Sequence, residues 1–474
     1  MKLPKNKFLL SLLVLTALGF ILRIYALSTQ SIWMDESFSM NAAYETLEKG
    51  YPLLDSGAFY GLSYLLHTYL ISFFMLIFND VFGARLVSVI FGVLTIVLSY
   101  YFGKKFFNKE LGILLALIIT FSFWEIVWSR QARMYMQLQF FYLLSLLLFY
   151  EFTLTKKKLM FLSLSTLLSV FTHPFGFTLI LIYVFYFILN YKTLKEFNFN
   201  FLKNKWFFFS FLIALIFSVY YLINYNYVNI VYFTQYHLYL RNIHFPYFYL
   251  GILGLILSLK EFRKGSLLLL SFLIPFLFVS YLVPLIHFRY LFFFLPILFL
   301  SSLYLIYYIS SVINLNYRFW ISLALILLIM FNYSVFIPRA FYSLEAETPQ
   351  PDFKNAFNFV KENLEEDDIV ITPYPTVARV YGVDVDFVLD YNPSGRTNGT
   401  IEYEGSGKEG YTNIGISGLK EFENLVFDEK GYVLVDRFSL GRINSGFLPI
   451  LGNLTEIREN NQSLYSEIYI YQIT

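Results

Sequence analysis

The sequence predicts a polytopic α-helical membrane protein that ends in a small α/β domain on the side of the bilayer opposite its N-terminus. Three observations carry that prediction. Apolar runs of bilayer-spanning length recur through residue 337, in a chain that is 57% hydrophobic and only 14% charged, far from a soluble composition. Lysines crowd short loops between those runs, while acids concentrate after residue 345. Residues 338–474 then turn charged, with Pro and Gly punctuation and helix and strand patterns of globular length.

The net charge of +2 is thus the residue of a topological asymmetry and gives no reason to expect nucleic acid as a partner. Cysteine is absent, so no disulfide framework or thiolate chemistry is available. Lys2, Lys5 and Lys7 precede the first apolar run, Phe8 to Ala26, and no small-x-small cleavage site follows it. It reads as a signal anchor with a cytoplasmic N-terminus, which puts the next segment outside.

Whether Leu62 to Phe78 crosses decides every later loop. If it does, Lys104-Lys105, Lys156-Lys157-Lys158, Lys192 to Lys205 and Lys260-Glu-Phe-Arg263-Lys264 all lie outside. If it does not, all of them lie inside with the N-terminal lysines, as the positive-inside bias requires. Leu62 to Phe78 is therefore expected as a re-entrant or outer-leaflet helix within one long external loop, residues 28–82. The spans become 8–27, 83–103, 110–128, 135–154, 159–172, 175–191, 206–223, 247–259, 266–283, 290–309 and 319–337, about eleven, in a membrane domain of residues 1–337. An extracytoplasmic domain, 338–474, follows. In it Asp352 to Leu364 reads as an amphipathic helix before the strand Asp368 to Thr372, Gly418 to Phe427 and Gly431 to Asp436 repeat that order, and Ser466 to Ile473 alternates as a last strand. The sequons at Asn398, Asn453 and Asn461 all fall in this exterior domain.

Candidate chemistry gathers on the same outer face. Asp35 and Glu36 stand just past the first run; carboxylates at a membrane edge are either functional or hydrated loop acids. Ser129-Arg-Gln-Ala-Arg-Met-Tyr135 offers Arg130 and Arg133, and His287-Phe-Arg-Tyr290 offers Arg289. Such arginines can be snorkelling anchors, but outer cations run against the charge bias and favour a bound anion. His173 sits at a tight turn before Pro174, and the loop Asn224 to Phe245 carries His237, Arg241 and His244 among many tyrosines, a lid or an aromatic belt.

The acidic pair after the first span, the re-entrant helix, Ser129-Arg130-x-x-Arg133-x-Tyr135, the His-led sixth span and Arg289-Tyr290 before an apolar run with Pro296 together resemble the polyprenyl-phosphate-dependent glycosyltransferases of the GT-C fold. Within them the chain is most similar to the protein O-mannosyltransferase and aminoarabinose-transferase group, over about residues 8–337. The resemblance implies an integral-membrane glycosyltransferase that moves a sugar, without a covalent intermediate and with inversion, from a polyprenyl (dolichyl-type) phosphate to an acceptor hydroxyl on a protein, lipid or glycan. It implies Asp35 as the base, with Glu36 orienting it or the sugar. Arg130, Arg133, Tyr135, His173, Arg241 and Arg289 are then expected at the donor phosphate or substrate. Relatives often carry His-Pro-Pro before the re-entrant helix where this chain has Asp55-Ser-Gly-Ala-Phe-Tyr60, which leaves the second acid or histidine open and makes Asp55 a candidate. No cofactor is required by this chemistry; a divalent metal is compatible with it, and no ligand spacing decides the matter. The alternative, a transporter or flippase of lipid-linked sugars, calls for internal repeats and broken spans at mid-membrane, and the unusual charges gather at one face instead.

Overall fold

In the computed structural model the structure describes residues 5–54, 57–155, 157–191, 231–283, 286–332, 351–389, 400–402, 414–416, 418–441, 443, 445–457 and 468–474. The helices through residue 332 are α1 (Lys5–Ile24), α2 (Met34–Lys49), α3 (Leu65–Ile77), α4 (Asp80–Phe106), α5 (Lys109–Phe121), α6 (Phe123–Trp128), α7 (Tyr135–Thr155), α8 (Leu159–Val170), α9 (Thr178–Leu189), α10 (Val231–Ile243), α11 (Phe245–Ser258), α12 (Phe262–Leu282), α13 (Leu295–Ile313) and α14 (Arg318–Asn332), of which α2 and α10 arise in stretches read as loop. Five stretches among the described residues are long and apolar enough to cross a membrane: Lys7–Ile24, Asp80–Phe106, Tyr135–Thr155, Phe262–Leu282 and Phe288–Ile313. Helices α10 and α11 make a sixth if they are taken as one pair bent by 108°. The stretches Leu62–Ile77, Leu159–Val170, Pro174–Leu189 and Arg318–Met330 are shorter apolar helices. The expected span 206–223 and the cluster Lys192 to Lys205 lie outside the described residues, as does the expected domain boundary after residue 337.

Three expectations need correction. The run 110–128 is not one helix: at Ser122 the backbone turns extended, φ −64° and ψ 126°, separating α5 from the six-residue α6. The cause is a charge inside α1, because Arg23 donates to the carbonyls of Ile119 (2.8 Å) and Thr120 (3.2 Å) and so satisfies groups that a continuing helix would have used. The run 290–309 is helical from Phe288, but its first turns, Phe288–Phe294, are a 3-10 helix, and the α-helix α13 starts beside Pro296, whose missing N–H costs nothing in a first turn. Finally, the loop expected over Asn224 to Phe245 contains α10; residues 224–230 lie outside the described ones.

The chain forms two compact units, one of Met1–Tyr25, Leu62–His67 and Leu86–Phe341, the other of Ala26–Gly61, Thr68–Arg85 and Tyr342–Thr474. In the first, α11 and α13 cross closely. A Cβ added at Gly254 would lie 1.9 Å from the carbonyl oxygen of Ser301, so only glycine permits that approach, and Ser302 Oγ donates to the Tyr247 carbonyl across it at 2.7 Å.

In the second unit, α15 (Phe353–Asn363), β1 (Ile369–Ile371), α16 (Pro375–Val380), β2 (Phe387–Leu389), β3 (Thr400–Glu402), β4 (Ile414–Ile416), α17 (Leu419–Asp428), β5 (Gly431–Asp436), α18 (Arg437–Leu440), α19 (Phe447–Asn453), β6 (Thr455–Ile457) and β7 (Ile468–Ile473) build one sheet. Its order is β3-β4-β2-β1-β5-β7-β6. The strands β4, β2, β1 and β5 run parallel, and β3, β7 and β6 pair antiparallel with their neighbours. All six residues of β5 are buried, the mark of a central strand, and its Val433 and Val435, with Ile371 of β1, cluster with Phe422, Val426, Phe447 and Leu451 of α17 and α19. Of the sequons, Asn453 ends α19 in the open, and Asn398 and Asn461 lie outside the described residues.

Candidate active site

The acidic pair opens α2. Trp33 is extended, φ −106° and ψ 167°, and the helix begins at Met34, so both carboxylates fall in a first turn, where the helix dipole favours negative charge. The pair then divides. Glu36 is fully buried and grips Arg85 of α4 through two parallel bonds, Nε to Oε1 and Nη2 to Oε2, each 2.8 Å. Arg85 spends its other donors on the carbonyls of Leu27, Gln30 and Ser31, all at 2.9 Å. Five guanidinium N–H groups thus tie the chain leaving α1 to the start of α2. Asp35, by contrast, is half-buried, so it is the member of the pair in contact with solvent.

Asp55 lies outside the described residues. Tyr60 Oη contacts Ser39 Oγ at 3.2 Å, which brings Tyr60 onto the face of α2 one turn beyond Asp35.

The other candidates belong to the first unit. Arg130 is buried and donates to the carbonyls of Arg23 (2.9 Å) and Tyr25 (2.6 Å), capping the C-terminal end of α1. Arg133, also buried, holds its guanidinium 5.9 Å from the Tyr135 ring, and its carbonyl accepts from Ser88 Oγ at 3.1 Å. Arg289 is buried in the 3-10 helix, 5.9 Å from the Tyr290 ring. His173 joins these pieces: its ring lies 5.8 Å from Tyr135 and 6.4 Å from Tyr290, centre to centre, with Tyr64 at 5.9 Å. Burial, and then the charges of Arg133 and Arg289, push its pKa down to about 3. A neutral ring fits the bond in which His173 Nδ1 accepts the Phe175 N–H at 3.2 Å. His173, Tyr135, Arg133 and Arg289 therefore form one buried, positively charged group, whereas Arg241 is exposed at the last turn of α10 and bonds its neighbour Asn242.

Sequence reasoning passed over the buried polar residues that hold this group together. Arg23 Nε donates to Ser129 Oγ at 2.9 Å, fixing the start of the arginine loop. Gln139 Nε2 donates to Glu125 Oε1 (2.9 Å) and to the Phe292 carbonyl (3.1 Å), which fastens the Arg289 segment to α6 and α7. His67 Nδ1 meets Gln137 Oε1 at 3.0 Å. The signal was present: each is an ionisable or amide residue inside an apolar run, where such residues are costly and so come paired.

Among the described residues no three His, Asp or Glu side chains converge on a point that would hold a metal ion.

No protein-family model and no curated protein sequence matches the chain. Solved structures do. The archaeal oligosaccharyltransferase AglB from Archaeoglobus fulgidus, in complex with an inhibitory peptide and a dolichol-phosphate, superposes with TM-score 0.60 at 13% identity, covering 99% of this chain and 76% of its own. ArnT from Cupriavidus metallidurans, bound to undecaprenyl phosphate, gives 0.59 at 12% identity and 97% coverage of both chains. The Archaeoglobus fulgidus oligosaccharyltransferase complex with Zn and sulfate gives 0.54 at 13% identity, over 79% of this chain; this chain spans 62% of its length. The chain has the fold of these GT-C glycosyltransferases, and the similarity extends through the sheet domain.

Proposed function

We propose that this chain is an integral-membrane glycosyltransferase that moves a sugar from a polyprenyl-type phosphate carrier to an acceptor hydroxyl, with eleven crossings, a cytoplasmic N-terminus and its chemistry at the outer face. The observation that carries the reading is the buried cationic group of Arg133, Arg289 and neutral His173, on a fold whose solved members include proteins that hold lipid phosphates. A phosphate is the anion that a guanidinium fork suits best in charge and geometry, so Arg133 and Arg289 are the residues this reading gives to the carrier's phosphate.

The reaction asks little else of the protein. The acceptor oxygen attacks the anomeric carbon, the bond from that carbon to the phosphate oxygen breaks, and the electron pair leaves on the phosphate, whose charge Arg133 and Arg289 stabilise. The acceptor's proton passes to Asp35, the half-buried carboxylate, and a single displacement inverts the anomeric centre. Glu36, held by Arg85, fixes the helix turn that carries Asp35 and touches no substrate. Tyr135 packs beside Arg133, and Arg130 shapes its loop. The acceptor, whether protein, lipid or glycan, is a matter for assay. Membranes carrying the protein, given carriers bearing different labelled sugars together with an acceptor, should release polyprenyl phosphate. Movement of intact labelled carrier between leaflets without release would favour a flippase.

A further inference from the structure

We infer that the C-terminal sheet domain is the scaffold that positions the Asp35 helix, through α16 and its flanking residues; the inference deepens the function proposed above and rests on it. Within the second unit α16 lies against α2, and polar side chains join the two at several points. Ser37 Oγ meets Thr376 Oγ1 at 2.7 Å. Asn41 Nδ2 donates both to the Ser37 carbonyl (2.9 Å) and to the Thr376 carbonyl (2.8 Å), tying the two helices through one amide. Arg379 Nη2 reaches Glu45 Oε1 at 2.8 Å, one turn further along. At the other end Tyr381 Oη accepts the Ile32 N–H at 3.0 Å, and Ser31 Oγ meets Asp352 Oδ1 at 3.3 Å while accepting the Lys354 N–H at 3.1 Å.

The bonded residues Ser31, Ile32, Ser37, Asn41 and Glu45 bracket Asp35 on both sides. Ser37, Asn41, Glu45 and Thr376 are buried, so their partners are specified and not exchangeable with water. Burial, together with its place beside Glu36, pushes the Tyr381 phenol up to about 12, so it keeps the proton of a neutral phenol while it accepts the Ile32 N–H. The sheet in turn fixes α16, which follows β1 directly, and β1 lies between β2 and β5 at its centre. A general base must sit within hydrogen-bond reach of the proton it takes, and small displacements of positioned groups are costly in rate. Thr376, Arg379 and Tyr381 are therefore positioning residues.

The absence of native cysteine allows a direct test. In Ser37→Cys/Thr376→Cys the two sulfurs replace oxygens that lie 2.7 Å apart. Oxidised purified enzyme should form the disulfide bond and transfer sugar within about threefold of the parental rate, since the contact stays closed throughout turnover. Failure of the bond to form, or a loss of more than threefold that reduction reverses, would overturn the inference. Thr376→Val should lower kcat about tenfold with carrier affinity unchanged, and Thr376→Ser, which keeps the hydroxyl, should recover the rate. Equal loss of kcat and carrier affinity, or parental rates in the Val variant, would overturn it as well. Asp35→Asn measured alongside separates the two ideas: a parental rate there with the Thr376 pattern intact removes the base assignment and leaves the scaffold standing.

Discussion

Removing Arg85 should loosen the first turn of α2 more than any other single side-chain truncation there. The guanidinium bonds both Glu36 oxygens and three carbonyls, and both partners are buried, so Arg85→Ala leaves a carboxylate without its counter-charge and three carbonyls without donors. Breaking a buried pair from one side costs about 3–5 kcal/mol. With each 1.4 kcal/mol worth a factor of ten, the opening equilibrium should rise by about two to three and a half orders of magnitude. Hydrogen exchange followed by mass spectrometry on a peptide spanning Trp33 to Asn41 reads this directly, because the Glu36 and Ser37 amides bond the Trp33 carbonyl and exchange only when that turn opens. Arg85→Lys should recover little, since a point charge cannot bridge two carboxylate oxygens and three carbonyls. Glu36→Gln combined with Arg85→Ala should be no worse than Arg85→Ala alone, because the two act as one unit. Unchanged protection in Arg85→Ala would mean that the pair does not organise this turn.

Further outcomes follow from the same structure. Arg289→Ala and Arg133→Ala should each weaken carrier binding by about 1.5–3 kcal/mol, with Lys recovering part, as titration of undecaprenyl phosphate against purified protein will show; unchanged affinity in both would leave them as interfacial anchors. His173 has a pKa near 3 in the folded protein, so between about 6.5 and that value the unfolded chain binds a proton that the folded one does not. Stability from this group is therefore present above about 6.5 and is lost as the pH falls, and His173→Asn should flatten that acid limb of a thermal-stability profile. For topology, cysteine at the exposed Glu48 should react with an impermeant reagent from outside and cysteine at the exposed Thr155 should not. The reverse pattern would invert the orientation.

The apolar helices were legible because bilayer length is a coarse signal carried by many residues. In the C-terminal domain the helix Phe353–Asn363 and the strands Gly431–Asp436 and Ile468–Ile473 were legible from their periodicity, while the three-residue strands β2, β3, β4 and β6 were too short to show any. The break at Ser122 was not legible, because its cause, Arg23, lies about a hundred residues away in sequence. Arg85, Glu125 and Gln139 carried a signal, as costly polar residues within apolar spans, but their partners are set only by the fold. At the site, adjacency alone left Asp35 and Glu36 equivalent, and the partition between them depends on Arg85, which only the folded chain brings to Glu36.

The most direct measurement is sugar transfer by purified, correctly inserted Asp35→Asn. A hydroxyl is a poor nucleophile while it keeps its proton, and a phosphate leaving group needs no acid, so one carboxylate at the acceptor is the minimum the reaction requires. Asparagine keeps the shape and cannot take the proton. Turnover should fall by about 10²-fold or more, with carrier affinity within a few fold of parental. Transfer at the parental rate would place the base elsewhere and contradict the mechanism, with Asp55 the next residue to change.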